Sequence, residues 1–97
     1  MAFVLSTFCI FQYDGRIDVA CADELLSEWI LHFIFDEENS KKLIAELQKK
    51  YQGSVDEMIR QGFLSDSRFG DIFLMSAFCE FCEKNDIKYE YKQELTV

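Results

Sequence analysis

The chain contains no proline, four glycines and one histidine. All-β sandwiches and barrels rely on frequent turns rich in Pro and Gly, so this scarcity favours helices. One His, no glycine-rich loop and no Ser or Cys in a paired nucleophile–base motif leave little for catalysis, and the expectation is a protein that is not an enzyme. Positive charge is also short: ten Lys and Arg stand against eighteen Asp and Glu, a net charge of −8. Direct binding of nucleic acid or of an anionic membrane needs a basic footprint, which this balance does not supply. No segment approaches the ~18 uncharged residues of a membrane span.

The apolar run Met1–Phe11 has no Lys or Arg before it and makes a poor signal peptide. Val19-Ala20-Cys21 is similar to a lipoprotein cleavage site, but Asp14, Arg16 and Asp18 separate it from the apolar run. The four Cys follow no secretory spacing, so the expectation is a cytoplasmic protein with reduced thiols.

What is present is apolar bulk. Ninety-seven residues suit one globular domain spanning 1–97, and ten Phe, lacking any polar handle, suit core and interface. The run Phe3–Phe11 aligns with Phe73–Phe81 at a shift of seventy residues, matching Phe3/Phe73, Ser6/Ser76, Phe8/Phe78, Cys9/Cys79 and Phe11/Phe81. Ile17/Ile87, Glu24/Glu94 and Leu25/Leu95 continue the match without a gap. In the second copy Ser76, Glu80 and Glu83 form one helical stripe, so the repeat predicts helices in both copies.

Leu25, Leu26, Trp29, Ile30, Phe33 and Ile34 predict an amphipathic helix over Asp23–Asp36. Further helices are expected over Ser40–Tyr51, with Leu43, Ile44 and Leu47 inward and Lys41, Lys42, Lys49 and Lys50 outward, and over Val55–Gln61. The latter is opened by a Ser54–Glu57 capping box and stopped by Gly62. The fold expectation is therefore all-α: a bundle of about five helices with an internal helix–loop–helix repeat, 3–25 and 73–95. Two signals point to the alternative, an α+β fold with short N- and C-terminal strands. Tyr13-Asp14-Gly15-Arg16 also reads as a hairpin turn, and the tail Ile87–Val97 alternates as a strand does.

Candidate chemistry is thin. Cys79-Glu80-Phe81-Cys82 sits late in its helix, where the dipole does not activate a thiol, and reads as structural; no metal or other cofactor is expected. His32 lies four residues from both Glu28 and Asp36 and reads as a solvated ion-pair partner on a helix. The acidic residues remain: Asp14, Asp18, Asp23, Glu24 and Glu28, then Asp36, Glu37 and Glu38. With Trp29 among them, and Tyr13 and Phe35 nearby, they form the candidate partner-binding set, suited to docking a basic protein.

The spacing of Gly15 to Ile17, and of Asn85 to Ile87, resembles degenerate EF-hand helix–loop–helix pairs. The calcium ligands are missing, because the ligand positions hold Ile10, Gln12 and Cys21 in one copy and Glu80, Cys82 and Tyr91 in the other. The stretch Met58-Ile59-Arg60-Gln61-Gly62, followed by Phe78 to Ile87, FCEFCEKNDI, resembles the helical end of an all-α family of bacterial toxin-immunity proteins. That resemblance implies a stoichiometric inhibitor that occludes a basic, nuclease-like toxin domain. The alternatives are a nucleic-acid mimic that blocks a DNA- or RNA-binding protein, and a homo-oligomeric domain, such as a homodimer, with surplus aromatics in a self-interface.

Overall fold

Asp14-Gly15 is a hairpin turn. Both residues have positive φ, 53° and 76°, the combination a two-residue type I′ turn requires. The computed structural model describes residues 6–23, 29–50, 55–62 and 75–95. The turn joins β1 (Ser6–Tyr13) to β2 (Arg16–Asp23), which pair antiparallel from Tyr13↔Arg16 to Ser6↔Asp23. β3 (Trp29–Phe35) pairs with β2, and β4 (Glu90–Leu95) with β3, giving one antiparallel sheet in the order β1-β2-β3-β4. Among the described residues three helices accompany it: α1 (Glu37–Lys50), α2 (Val55–Gln61) and α3 (Met75–Lys84).

The fold is thus α+β, and the all-α bundle is overturned. The helix expected in the first copy of the repeat, Phe3–Phe11, is β1 where it is described, and the helix over Asp23–Asp36 is β3 from Trp29 on. The reason lies in the apolar content of both faces. On β3, Leu31, Phe33 and Phe35 are buried, while Ile30, His32 and Ile34 are partly covered on the opposite face. A strand apolar on both faces satisfies a helical period as readily as a period of two. The repeat is overturned as well. Phe8 and Phe78 are both fully buried, one in a strand and the other in a helix, with ring centroids 5.6 Å apart. The loop at Asp14-Gly15 accordingly joins two strands, not the two helices of an EF-hand-like pair.

Scarce Gly and Pro misled for a related reason. β1–β2 is the one strand pair that a described tight turn connects; β3 runs directly into α1, and α3 leads back to β4.

The core lies between one sheet face and the helices. Phe8 and Ile10 of β1, Ile17, Val19 and Cys21 of β2, and Leu31, Phe33 and Phe35 of β3 alternate along their strands and are buried. Leu43 and Leu47 of α1, Val55 and Met58 of α2, and Phe78 and Cys82 of α3 close over them. Helix α1 keeps its expected faces, with all four lysines exposed, although it starts three residues earlier than Ser40. Helix α2 has the expected bounds and ends at Gly62, whose φ is 75°; Ser54 of the expected capping box lies outside the described residues. Helix α3 carries Ser76, Glu80 and Glu83 outward and ends in a Schellman arrangement. Ile87 N–H donates to Cys82 C=O (2.8 Å), Asp86 N–H donates to Glu83 C=O (3.2 Å), and Asp86 takes the left-handed conformation.

Two polar side chains lock helices to sheet. Ser40 Oγ accepts from Ile17 N–H (2.9 Å) and donates to Phe35 C=O (3.4 Å), standing between two residues that face each other in the ladder. Asn39 Oδ1 accepts from Lys88 N–H (2.9 Å), tying the start of α1 to the segment between α3 and β4. Among the described residues no helix is long and apolar enough to cross a membrane.

Ser40→Ala strands the buried Ile17 N–H. Its expected cost is about 1–3 kcal/mol, read as a lower urea midpoint at unchanged m-value; an unshifted midpoint would remove the hydroxyl bridge from the account.

Candidate functional site

Period-two alternation that sends Phe8, Val19 and Phe33 inward sends Phe11, Tyr13, Asp18, His32 and Glu94 to the other face of the sheet. None of the described helices packs on that face. Phe11 and Tyr13 are about half exposed there, at 47% and 57%.

A polar line crosses the face, one side chain per strand. Tyr13 Oη donates to Asp18 Oδ2 (3.3 Å). His32 Nδ1 lies 3.2 Å from both Asp18 carboxylate oxygens and donates to that carboxylate. On the far side of the ring, Nε2 sits 3.3 Å from Glu94 Oε2, at ion-pair distance but without hydrogen-bond geometry. Partial burial raises the pKa of the Tyr13 hydroxyl, and the Asp18 carboxylate adds to this by charge and hydrogen bond, so the phenol stays a donor. The His32 partners expected from helical spacing are replaced by partners set by sheet register: Asp18 on β2 and Glu94 on β4. Cys9, the thiol on this face, sits in register with Ala20 and then His32, two strands and roughly 10 Å away between Cα atoms. The imidazole therefore has a carboxylate on each side but no nucleophile within reach among the described residues.

The acidic candidates divide between the two ends of the sheet. Asp14 lies in the turn, and Asp18 is two residues up β2 from Arg16. Glu37 packs against the turn so closely that a Cβ on Gly15 would come within 3.3 Å of its Cγ. Asp36, Glu37 and Glu38 at the start of α1 therefore join Asp14 and Asp18 at the hairpin end. Asp23 ends β2 and Trp29 begins β3 at the opposite end, roughly 23 Å along the strand. Glu24 and Glu28 lie outside the described residues. Trp29 is half-buried and faces Leu95 across the ladder.

Asp36 has a structural task. Its Oδ1 accepts from Asn39 N–H (2.7 Å) and from Asn39 Nδ2 (3.0 Å), capping α1. Those hydrogen bonds, with smaller help from the charges of Arg16 and Lys42, hold its carboxyl below the usual aspartate value. The hollows at this end are small. One of about 190 Å³ is lined by Arg16, Ile34, Asp36, Asn39, Lys88, Tyr89 and Glu90. Another of about 230 Å³ is lined by Tyr13, Asp14, Arg16, Ile17, Asp18 and Ile34. Both fall short of the ~300 Å³ at which small-molecule pockets begin. The end suits a broad contact with another macromolecule better than an enclosed ligand.

Cys82 is buried in α3, and that burial, with Cys79 beside it, pushes its thiol pKa up to about 12. This is the behaviour of a packed apolar residue, not of an activated thiolate. Sequence reading overlooked Phe11, which the repeat assigned to a helix as the counterpart of Phe81. The signal available was the Asp-Gly turn: accepting it as a hairpin places Phe11 and Tyr13 opposite Asp18 and Arg16.

A folded-state pKa below the unfolded value means that the Asp36 contribution is present above roughly pH 4. It is lost as pH falls through the lower folded value. Asp36→Asn, which keeps an acceptor but does not titrate, is expected to flatten the acid limb of the stability–pH curve; an unchanged limb would discount the cap. With its pKa raised by burial, the Cys82 thiol stays protonated at pH 8. Its alkylation by iodoacetamide is expected to be slow in the native protein and fast in urea, and equal rates would contradict the burial. No protein-family model matches the chain, and comparison with curated proteins and with solved structures yields no match.

Proposed function

We propose that this chain is a non-catalytic protein-binding module, a stoichiometric inhibitor of a basic partner in the manner of toxin-immunity proteins, acting in the cytoplasm. The observation that carries this reading is the hairpin end of the sheet. Exposed Phe11 and Tyr13 there stand beside Asp14 and Asp18, with Glu37 packed against the turn and exposed Glu38 following it in the chain. Aromatic anchors ringed by carboxylates suit a partner that presents Lys and Arg. The charge speeds the encounter, and the buried rings hold the complex. The net charge of −8 extends the same bias over the whole chain.

The partner surface centres on Phe11, Tyr13, Asp14, Asp18, Glu37 and Glu38, with Asp36 serving mainly to cap α1. Nucleic-acid mimicry gains less support, because it needs carboxylates in a phosphate-like row. On the open face Arg16 and Lys92 interrupt the carboxylates. The four cysteines, none in a disulfide, accord with a reducing compartment.

The test is capture of the partner from the source cell, purification, and stopped-flow kinetics. A basic protein is expected, with an association rate that falls steeply as salt is added. Asp14→Asn with Glu38→Gln should slow association, while Phe11→Ala should speed dissociation at a cost of about 1–2 kcal/mol. An acidic partner, or kinetics indifferent to salt, would overturn the reading.

A further inference from the structure

The two edges of the sheet are treated differently. On β1 the outward Ile10 N–H donates to Gly62 C=O (3.2 Å), so the end of α2 occupies that edge. On β4 all six residues are exposed, and among the described residues nothing pairs with its outer edge.

Which β4 residues turn their backbone outward follows from the ladder. Ile17 N–H and Phe35 C=O, which face each other across β2 and β3, both meet Ser40 Oγ, so Phe35 turns its backbone groups toward β2. Backbone direction alternates along a strand, so His32 turns toward β4 and its partner Lys92 toward β3. Tyr91, Gln93 and Leu95 therefore turn their N–H and C=O outward. The outward Ile10 N–H obeys the same alternation, counted through its partner Val19.

We infer that β4 is a self-association edge, on which a second copy of this chain pairs antiparallel about a two-fold axis at Gln93, joining two sheets into one. At this register Gln93 faces Gln93 of the other copy, Tyr91 faces Leu95, and Lys92 faces Glu94, each by symmetry twice. Every outward backbone group then meets an outward group. Tyr91 and Leu95, exposed at 48% and 57%, cover each other. Lys92 and Glu94 form opposite-charge pairs on the open face. Moving the axis one residue either way preserves the hydrogen-bond alternation but sets Lys92 against Lys92 or Glu94 against Glu94. A shift of two residues, to Tyr91, would again set Glu90 against Lys92, but it overlaps only residues 90–92 of β4 where the Gln93 axis overlaps 91–95. Charge and strand length together select the Gln93 register, and a self-complementary patch closes as a dimer. This edge is separate from the hairpin end, so it stands or falls independently of the inhibitor reading.

The test is sedimentation-equilibrium ultracentrifugation of the full chain over a dilution series, with amide exchange by NMR. Wild type is expected to reach twice the 11.4 kDa chain mass, with slowed exchange at Tyr91, Gln93 and Leu95. Gln93→Pro removes an outward donor and leaves the bonds to β3 intact. It is expected to stay folded by circular dichroism and to weaken dimerisation at least ~100-fold. Lys92→Glu is expected to weaken it about tenfold, and adding Glu94→Lys to that variant should restore it. Monomer mass for wild type at ~1 mM chain overturns the inference. So does a dimer that survives Gln93→Pro, or a double exchange that fails to restore association.

Discussion

The Phe78 ring is the contact on which the rest of the structure depends. It lies 5.6 Å from the ring of Phe8, 5.3 Å from Phe33 and 6.3 Å from Phe35, so one side chain of α3 touches both β1 and β3. The Phe33 and Phe35 rings continue to Tyr89 at 5.1 and 5.7 Å. A four-stranded sheet cannot stand in water with both faces bare, and one needs a cover. Aromatic rings in tilted and edge-on contact provide that cover here. A truncation such as Phe→Ala at a site of this kind typically costs about 3–5 kcal/mol, a large share of the stability of a domain this size.

Covering one face determines what the other can do. Because α1, α2 and α3 close over the same face, the opposite face keeps Phe11, Tyr13 and Glu94 accessible, while Asp18 and His32 are largely covered by their neighbours on it. The polar line from Tyr13 through Asp18 and His32 to Glu94 spans all four strands, and among the described residues no helix packs on it. It is held by the Tyr13–Asp18 and His32–Asp18 hydrogen bonds, by the His32–Glu94 ion-pair contact and by the rigidity of the ladder. The Ser40 bridge and the Asn39 tie bring the start of α1 beside the Asp14-Gly15 turn. Carboxylates distant in sequence, Asp14 and Glu37, become neighbours in this way. The acidic end thus follows from core packing together with two short polar side chains.

Parts of this were legible residue by residue. Leu43 and Leu47 with four outward lysines specify α1, and Ser76, Glu80 and Glu83 specify the outer stripe of α3, because one polar face suffices to define a helical period. The hairpin at Asp14-Gly15 and the alternation of the C-terminal tail were also readable as the α+β alternative. β1 and β3 were not. Their residues are apolar on both faces, so local period carries no information, and the seventy-residue match lent β1 the helical character of α3. Of the candidate site, Asp14, Asp18, Glu37 and Glu38 were named from the chain. Phe11 and the true partners of His32 were not, since both follow from strand register.

The amino-acid sequence by itself determined the negative charge, the stock of Phe, the three helices and the positive-φ turn, all properties that depend on residues a few positions apart. Tertiary structure alone decided that Phe8 sits in a strand while Phe78, in a matching stretch, sits in a helix. It also decided which carboxylates meet at one end of the sheet and which edge is left unpaired among the described residues. Strand pairing joins residues far apart along the chain. Its outcome is therefore set by which apolar faces can be buried together, and a linear pattern of such faces is compatible with more than one arrangement.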